Sequence, residues 1–153
     1  MQPIFVGDVQ GCAAELVEIL GRARYRFGED FEVFFVGDLV NRGPESLRVL
    51  EIVHELVERG RGRTVLGNHD LALLMAALGV RPLRPPLDTM VEVLESPEAS
   101  YWVEWLRRRP LLEDGILGER PFALVHAAVA PDWTLPELRT RARGIEARMA
   151  DPN

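Results

Sequence analysis

Short apolar segments alternate with longer amphipathic segments along this chain, and this alternation limits the fold more than any other feature of the sequence. Apolar runs predict β-strands at residues 4–6, 33–36, 64–66 and 122–125. Helical spacing predicts α-helices at residues 13–20, 44–60, 71–78 and 135–149, with a further helical region at residues 89–110. Strands that alternate with helices predict an α/β protein with a largely parallel sheet, whose functional residues gather at the carboxyl ends of the strands.

The length of 153 residues predicts a single domain over residues 1–153, in which residues 79–115 form a helical insertion that begins with a proline-rich stretch. The net charge of −6 argues against a nucleic-acid partner. The only cysteine, Cys12, cannot form an internal disulfide, which favours the cytoplasm. No signal-peptide pattern and no apolar run long enough to span a membrane is present, so no membrane partner is predicted.

Polar residues follow all of the predicted strands. The strand exits read "GDVQG", "GDLVNRGP", "GNHD" and "HAAVAP" in chain order. Taken singly, each has an ordinary explanation, because Asp and Asn often cap turns and helices and a lone His is often a hydrogen-bonded structural residue. Four such exits on successive strands are hard to explain as independent turns, and they predict a shared site.

The side chains at these exits suit a pair of divalent metal ions. Asp8 and Asp38 offer carboxylates, Asn68 offers an amide oxygen and His126 offers an imidazole. Mixed oxygen and nitrogen ligands favour manganese, iron, cobalt or zinc over calcium. Two such ions sharing a carboxylate activate water for hydrolysis of a phosphate ester or anhydride.

Two further residues at the exits suit the same chemistry. Arg42 can hold phosphate oxygens with its planar guanidinium group. His69 can protonate a leaving oxygen, because the side-chain pKa of an unperturbed histidine lies near neutrality.

The motifs resemble those of a known superfamily. "GDVQG", "GDLVNRG", "GNHD" and His126 resemble the metallophosphoesterase motifs of the phosphoprotein phosphatase superfamily. Residues 4–149, including "WLRRRPLL" and "HAAVAPDW", are most similar to the symmetrical bis(5′-nucleosyl)-tetraphosphatases, which split diadenosine tetraphosphate into two ADP. The resemblance implies a calcineurin-like α/β fold, an αββα sandwich, here with its N-terminal βαβαβ half and an incomplete second sheet.

The resemblance also implies a role for each site residue. Asp8 would bind the first metal ion, Asp38 would bridge both ions, and Asn68 and His126 would bind the second ion. Gln10 stands where the superfamily commonly has a metal-binding histidine, and its carbonyl oxygen can still coordinate. The ions would be Mn²⁺ or Co²⁺, with Fe or Zn as alternatives.

The catalytic set that the resemblance implies is Asp38, Arg42 and His69, with His69 as the general acid. Arg42, Asn68 and His69 would contact the substrate, a nucleotide or phosphate ester. Asn41 stands where protein phosphatases have an aspartate that orients the catalytic histidine, which argues against a typical serine/threonine phosphatase.

Relatives in this subfamily run well beyond this chain and contribute a further metal-binding histidine and most of the second sheet. The chain is therefore interpreted as a short form that lacks the C-terminal part. Water or another chain could fill the vacant ligand position, or the site could be weakened. An incomplete second sheet would expose apolar surface, which predicts self-association.

Three functions remain open from the sequence. The first is metal-dependent hydrolysis of dinucleoside polyphosphates, and the second is a serine/threonine or small-molecule phosphomonoesterase. The third is a weakly active or non-catalytic relative that binds a nucleotide or a partner. His54 keeps helical spacing with Leu50 and Val57, so it is interpreted as a helix-face residue outside the site.

Overall fold

The computed structural model describes residues 1–151 as two sheets with six helices around them. The strands are β1 (Gln2–Val6), β2 (Phe31–Phe35), β3 (Gly62–Thr64), β4 (Leu112–Leu117) and β5 (Arg120–Val125). The helices are α1 (Ala13–Phe27), α2 (Ser46–Glu58), α3 (Asn68–Ala77), α4 (Val91–Glu95), α5 (Ala99–Arg107) and α6 (Leu135–Ala150). Within residues 1–151, none of the helices combines the length and the apolar character needed to cross a membrane.

The first sheet is parallel, with the strand order β1-β2-β3. Its central strand β2 is buried on both faces, which explains its almost uninterrupted apolar sequence. Val33 and Phe35 belong to the core that contains residues of α1 and α2, whereas Phe34 points to the opposite face. The predicted strands and helices of this half are confirmed, although α1 extends to Phe27 and β3 begins two residues before the predicted position.

The second sheet is an antiparallel pair of β4 and β5. The alternation predicts a largely parallel sheet, and this holds for β1, β2 and β3. The strand predicted at 122–125 is part of β5, which pairs with β4 in the second sheet that the resemblance implies; β4 itself was not predicted. Leu124 of β5 packs against Phe34 of the first sheet and against Val65, which directly follows β3. The two sheets therefore stack face to face, and this stacking carries the end of β5 to the carboxyl ends of the parallel strands.

The segment predicted as a helical insertion, residues 79–115, is only partly helical. It holds α4 and α5, but residues 79–90 form turns and irregular backbone and residues 112–115 begin β4. The helical region predicted at 89–110 is divided between two helices around Pro97. His54 lies on α2 with its ring against Trp102 and Trp105 of α5, so it is a helix-face residue that packs on the core.

Candidate metal centre and active site

The loops after β1 and β2 are tied together by backbone hydrogen bonds. Gln10 N donates to Asp38 O at 2.8 Å, and Gly43 N donates to Gln10 O at 2.7 Å. A Cβ at residue 43 would overlap the backbone of Gln10 and Gly11, so glycine permits this close approach. Gln10, Asp38, Asn41 and Arg42 all have positive φ, a strained conformation for side-chain-bearing residues that concentrates at functional sites.

Asp38 lies at the centre of the site and is 2% exposed. Its Oδ1 accepts a hydrogen bond from the backbone N–H of His69 at 2.8 Å. A Cβ at residue 67 would overlap Asp38, so the glycine of "GNHD" is required for the loop after β3 to reach this carboxylate. Asp38 therefore joins the second and third strand exits.

Asp70, the last residue of "GNHD", also connects the second and third strand exits, because it accepts hydrogen bonds from both loops. Its Oδ1 accepts from Leu39 N at 2.9 Å, and its Oδ2 accepts from Gly67 N at 2.9 Å. Burial raises the pKa of Asp70 to about 6. The hydrogen bonds from Gly67 and Leu39 lower this pKa, whereas the nearby charge of Asp38 raises it further. Asp70 therefore holds the loops after β2 and β3 in a fixed position relative to each other.

Lone pairs from three exits converge beside Asp38. One ligand atom from each of Asp8, Asp38 and His126 lies within 4.8 Å of the others. His126 Nδ1 lies 2.9 Å from the carbonyl oxygen of Val36, so Nδ1 carries the proton and donates it. Its Nε2 lone pair then faces Asn68 Oδ1 at 3.1 Å and Asp38 Oδ1 at 3.6 Å.

These atoms could hold a cation. In the neutral tautomer of His126, no hydrogen lies between Nε2 and the two oxygens that face it, so three acceptors point at one another. A positive ion is the group that satisfies such an arrangement, and a ring whose other nitrogen donates to a carbonyl is the usual form of a metal-binding histidine. The mixed oxygen and nitrogen donors fit a divalent transition metal.

His69 is held by a hydrogen-bonded chain of side chains. Asn41 Oδ1 accepts from Arg42 N and from Thr89 N, both at 2.9 Å, which fixes the orientation of its amide. Asn41 Nδ2 lies 3.0 Å from His69 Nδ1 and 3.2 Å from Asp88 Oδ1. Because Nδ2 is a donor, Nδ1 accepts and the proton of neutral His69 lies on Nε2. Nε2 lies 3.8 Å from Asp38 Oδ2.

A cavity of about 380 Å³ opens beside His69. It is called the arginine cavity below, after Arg42, Arg81 and Arg84 in its lining, and it also includes Asn68, His69 and Asp88. Arg42 is exposed, and among residues 1–151 its guanidinium makes no hydrogen bond or ion pair. The Gln10 side chain is half-buried and likewise makes no hydrogen bond within the described chain.

The structure brings together Asp8, Asp38, Asn68, His69 and His126 from the predicted set. Gln10 and Arg42 lie on the same loops, and within residues 1–151 neither side chain makes a hydrogen bond or ion pair with the other site residues. Sequence reasoning missed Asp70 and Asp88. Asp70 had a signal, because an acidic residue three positions after Gly67 suits the first turn of a helix. Asp88 lies in the proline-rich stretch, where no local pattern indicates its role.

Comparisons with known proteins identify the family of this chain. The family model described as calcineurin-like phosphoesterase matches residues 1–142. A protein of Shewanella baltica (strain OS155) named symmetrical bis(5′-nucleosyl)-tetraphosphatase is 44% identical over 142 residues, which are 93% of this chain and 50% of that protein. A protein of the same name from Dechloromonas aromatica (strain RCB) is 39% identical over 148 residues, 97% of this chain and 51% of that protein.

Two solved structures are also similar. A crystal structure of a proposed diadenosine tetraphosphatase has a TM-score of 0.52 and 31% identity, and the match covers 72% of this chain and 43% of that chain. A hypothetical protein from Pyrococcus horikoshii OT3 has a TM-score of 0.63 at 15% identity, which shows a shared fold, over 92% of this chain and 64% of that chain. The chain spans about half the length of the curated relatives it matches. With its motifs, stacked sheets and converging ligands in agreement, the chain belongs to the calcineurin-like phosphoesterase family.

Proposed function

We propose that this protein hydrolyses dinucleoside polyphosphates, with diadenosine tetraphosphate split into two ADP. The observation that carries the proposal is the convergence of lone pairs from Asp38, Asn68 and His126 beside the exposed carboxylate of Asp8. The names of the relatives at 39–44% identity support the choice of substrate. The hydrogen bond from Asn41 to His69 supports a mechanism with a fixed hydrogen-bond donor at His69 Nε2.

Two divalent ions are proposed at this site, Mn²⁺ or Co²⁺ first, with Fe or Zn as alternatives. Asp8, Gln10 and Asp38 would hold one ion, and Asp38, Asn68 and His126 would hold the other. When bound, the ions supply a nucleophile near neutral pH by lowering the pKa of a coordinated water, and they neutralise charge on the phosphate.

The residues of the chain perform the remaining steps. Arg42 holds phosphate oxygens with its exposed guanidinium and orients the substrate, together with Asn68. His69 carries its proton on Nε2, the ring atom that faces Asp38, and donates a hydrogen bond from it to the departing phosphate oxygen, which stabilises the negative charge that develops there. The Nδ1 atom accepts from Asn41 throughout, so the ring keeps the orientation that this hydrogen bond needs.

The test is release of ADP from diadenosine tetraphosphate by the purified chain, with each of the four metals added in turn. We expect turnover with Mn²⁺ or Co²⁺. Asp38→Asn should lower kcat/KM by more than about 100-fold, because the partners that orient metal ligands are alone worth roughly 10–100-fold. Asp30→Asn is the matched control, since Asp30 precedes β2 and Asp38 follows it.

Calorimetric titration with Mn²⁺ gives a second readout for the same variants, with weaker binding in Asp38→Asn alone. Absence of ADP release with all four metals would overturn the proposed function.

The proposal extends to location and assembly. A cytoplasmic protein fits a sequence with one cysteine, and the net charge of −6 gives no reason to expect a nucleic-acid partner. Self-association through the uncovered edge of the sheet stack is supported by Phe5, which is 54% exposed on β1.

A further inference from the structure

The lining of the arginine cavity carries an excess of positive charge. Arg42, Arg81 and Arg84 line it, and Asp88 is the one carboxylate in its lining, while His69 is neutral in the tautomer described above. Among residues 1–151, the exposed guanidinium of Arg84 makes no hydrogen bond or ion pair, as is also true of Arg42. Two guanidinium groups thus remain available to a ligand in the cavity beside His69.

The wall of this cavity is anchored to the catalytic residues. Asp88 is 5% exposed, accepts from Arg84 N at 2.9 Å and lies 3.3 Å from Arg81 Nη2. Although burial raises it, the pKa of Asp88 is held below its ordinary value by hydrogen bonds from Arg84 N and Asn41 and by the charges of Arg81 and Arg84. A charged and buried Asp88 therefore fixes the 79–90 segment against Asn41 and, through it, against His69.

The other part of the lining is apolar. Met75 and Leu87 contribute to the cavity and are 39% and 61% exposed. Pockets for small molecules commonly have volumes of about 300–1,000 Å³ and combine apolar surface with a few fixed polar groups. A cavity of about 380 Å³ with two free guanidinium groups and an apolar wall suits one nucleotide with its phosphates.

From this geometry we infer that the arginine cavity is a subsite for the nucleoside diphosphate half that leaves from His69, with Arg84 and Arg42 on its phosphates and Leu87 against its nucleoside. The inference rests on the proposed function, because it assigns the half of the substrate whose departing oxygen accepts the hydrogen bond from His69. Arg84 then favours polyphosphate chains over single phosphate groups, since further phosphates give its guanidinium additional oxygens to bind beside His69.

Binding without metal tests the subsite directly. We expect ADP and inorganic tripolyphosphate to bind the EDTA-treated protein in calorimetric titrations, and Arg84→Gln to weaken that binding by roughly 5–10-fold because a charge-assisted contact is lost. Arg120→Gln is the matched control, because Arg120 is exposed and lies at the opposite end of β5 from His126. Equal affinities in the wild type and Arg84→Gln would overturn the inference.

Kinetics with metal present test the selectivity. In Arg84→Gln the ratio of kcat/KM for diadenosine tetraphosphate to that for p-nitrophenyl phosphate should fall by roughly 5–10-fold, whereas Arg120→Gln should keep the ratio. An unchanged ratio in Arg84→Gln would count against the subsite. If the wild type binds ADP through Arg84 but does not hydrolyse diadenosine tetraphosphate, the subsite stands and the proposed function fails. If the wild type hydrolyses diadenosine tetraphosphate but Arg84→Gln changes neither the binding of ADP nor the kcat/KM ratio, the proposed function stands and the subsite fails.

Discussion

At the scale of single residues, the structure explains why position 41 is an asparagine in a motif where protein phosphatases have aspartate. The Asn41 amide donates to the carboxylate of Asp88 at 3.2 Å as well as meeting His69. An aspartate at position 41 would set two carboxylates against each other in a buried site, since Asn41 is 1% exposed. The nearest carboxylate on this side of His69 is therefore that of Asp88, in the 79–90 segment, and it is connected to His69 through the Asn41 amide.

The hydrogen bond between Asn41 and Asp88 predicts what happens when the two side chains are exchanged. Asn41→Asp alone should lower the free energy of unfolding by about 1–3 kcal/mol, because it creates an uncompensated pair of buried acceptors. Asn41→Asp combined with Asp88→Asn should recover most of that loss, since one amide and one carboxylate again face each other. Urea unfolding of the two single variants and the double variant measures this coupling. Additive losses in the double variant would contradict it.

At the scale of secondary-structure elements, α6 is fixed to the second sheet by charged side chains. Arg139 hydrogen-bonds to Asp114 of β4, and Glu146 accepts from Leu111 N at 2.7 Å. The hydrogen bond from Arg139 holds the pKa of Asp114 below its ordinary value; burial opposes this effect, and the charges of Arg139 and Arg143 add to it. The start of α6 is set locally, because Thr134 and Glu137 form a capping box with Pro136 between them.

The lowered pKa of Asp114 gives a prediction for stability against pH. A carboxyl group with a lower pKa in the folded state stabilises the fold above its unfolded pKa, about 3.9, and loses that contribution as the pH falls through the folded pKa. Asp114→Asn should therefore lower the free energy of unfolding by about 1 kcal/mol or less at pH 7, since Arg139 is half-exposed. The difference from wild type should shrink below about pH 4.

Urea unfolding of the wild type and Asp114→Asn from pH 7 to pH 3 measures this difference in the free energy of unfolding. Asp132→Asn is the control, because Asp132 is exposed. A difference that stays constant over this range would show that the charge of Asp114 is not responsible.

The elements also show how far the sequence could predict the fold. β1 to β3 and α1 to α3 were predictable because their apolar spacing is strong and their contacts follow chain order. β4 was missed because its sequence, "LEDGIL", contains Glu, Asp and Gly, which are uncommon in strands, and its position is set by pairing with β5 and by α6. The candidate residues Asp8, Asp38, Asn68 and His126 could be proposed from the sequence because each lies in a short polar motif within four residues of the end of a strand. Asp88 could not, because its partner Asn41 lies 47 residues away.

At the scale of the whole molecule, the two sheets cover each other incompletely. Phe34 on β2 is fully buried beneath Leu124 and Phe122 of β5, whereas its neighbour Phe5 on β1 is 54% exposed. Phe5 pairs in register with Phe34 and lies 5.1 Å from it between ring centroids, so both rings are on the same face of the parallel sheet. β1 is also an edge strand, and an exposed aromatic residue on an uncovered edge favours association with another chain.

A second copy of the chain is the partner we expect at this edge, because two copies can cover each other's Phe5 through the same surface. Light scattering after size-exclusion chromatography should give a mass above 17.2 kDa at high protein concentration. Phe5→Glu should return the mass to that of the monomer, because burying an unpaired carboxylate in the contact opposes association. Tyr25→Glu is the matched control: Tyr25 is 95% exposed on α1, so its substitution should leave the mass unchanged. A monomeric wild type, or an oligomer that survives Phe5→Glu, would show that this edge is not the contact.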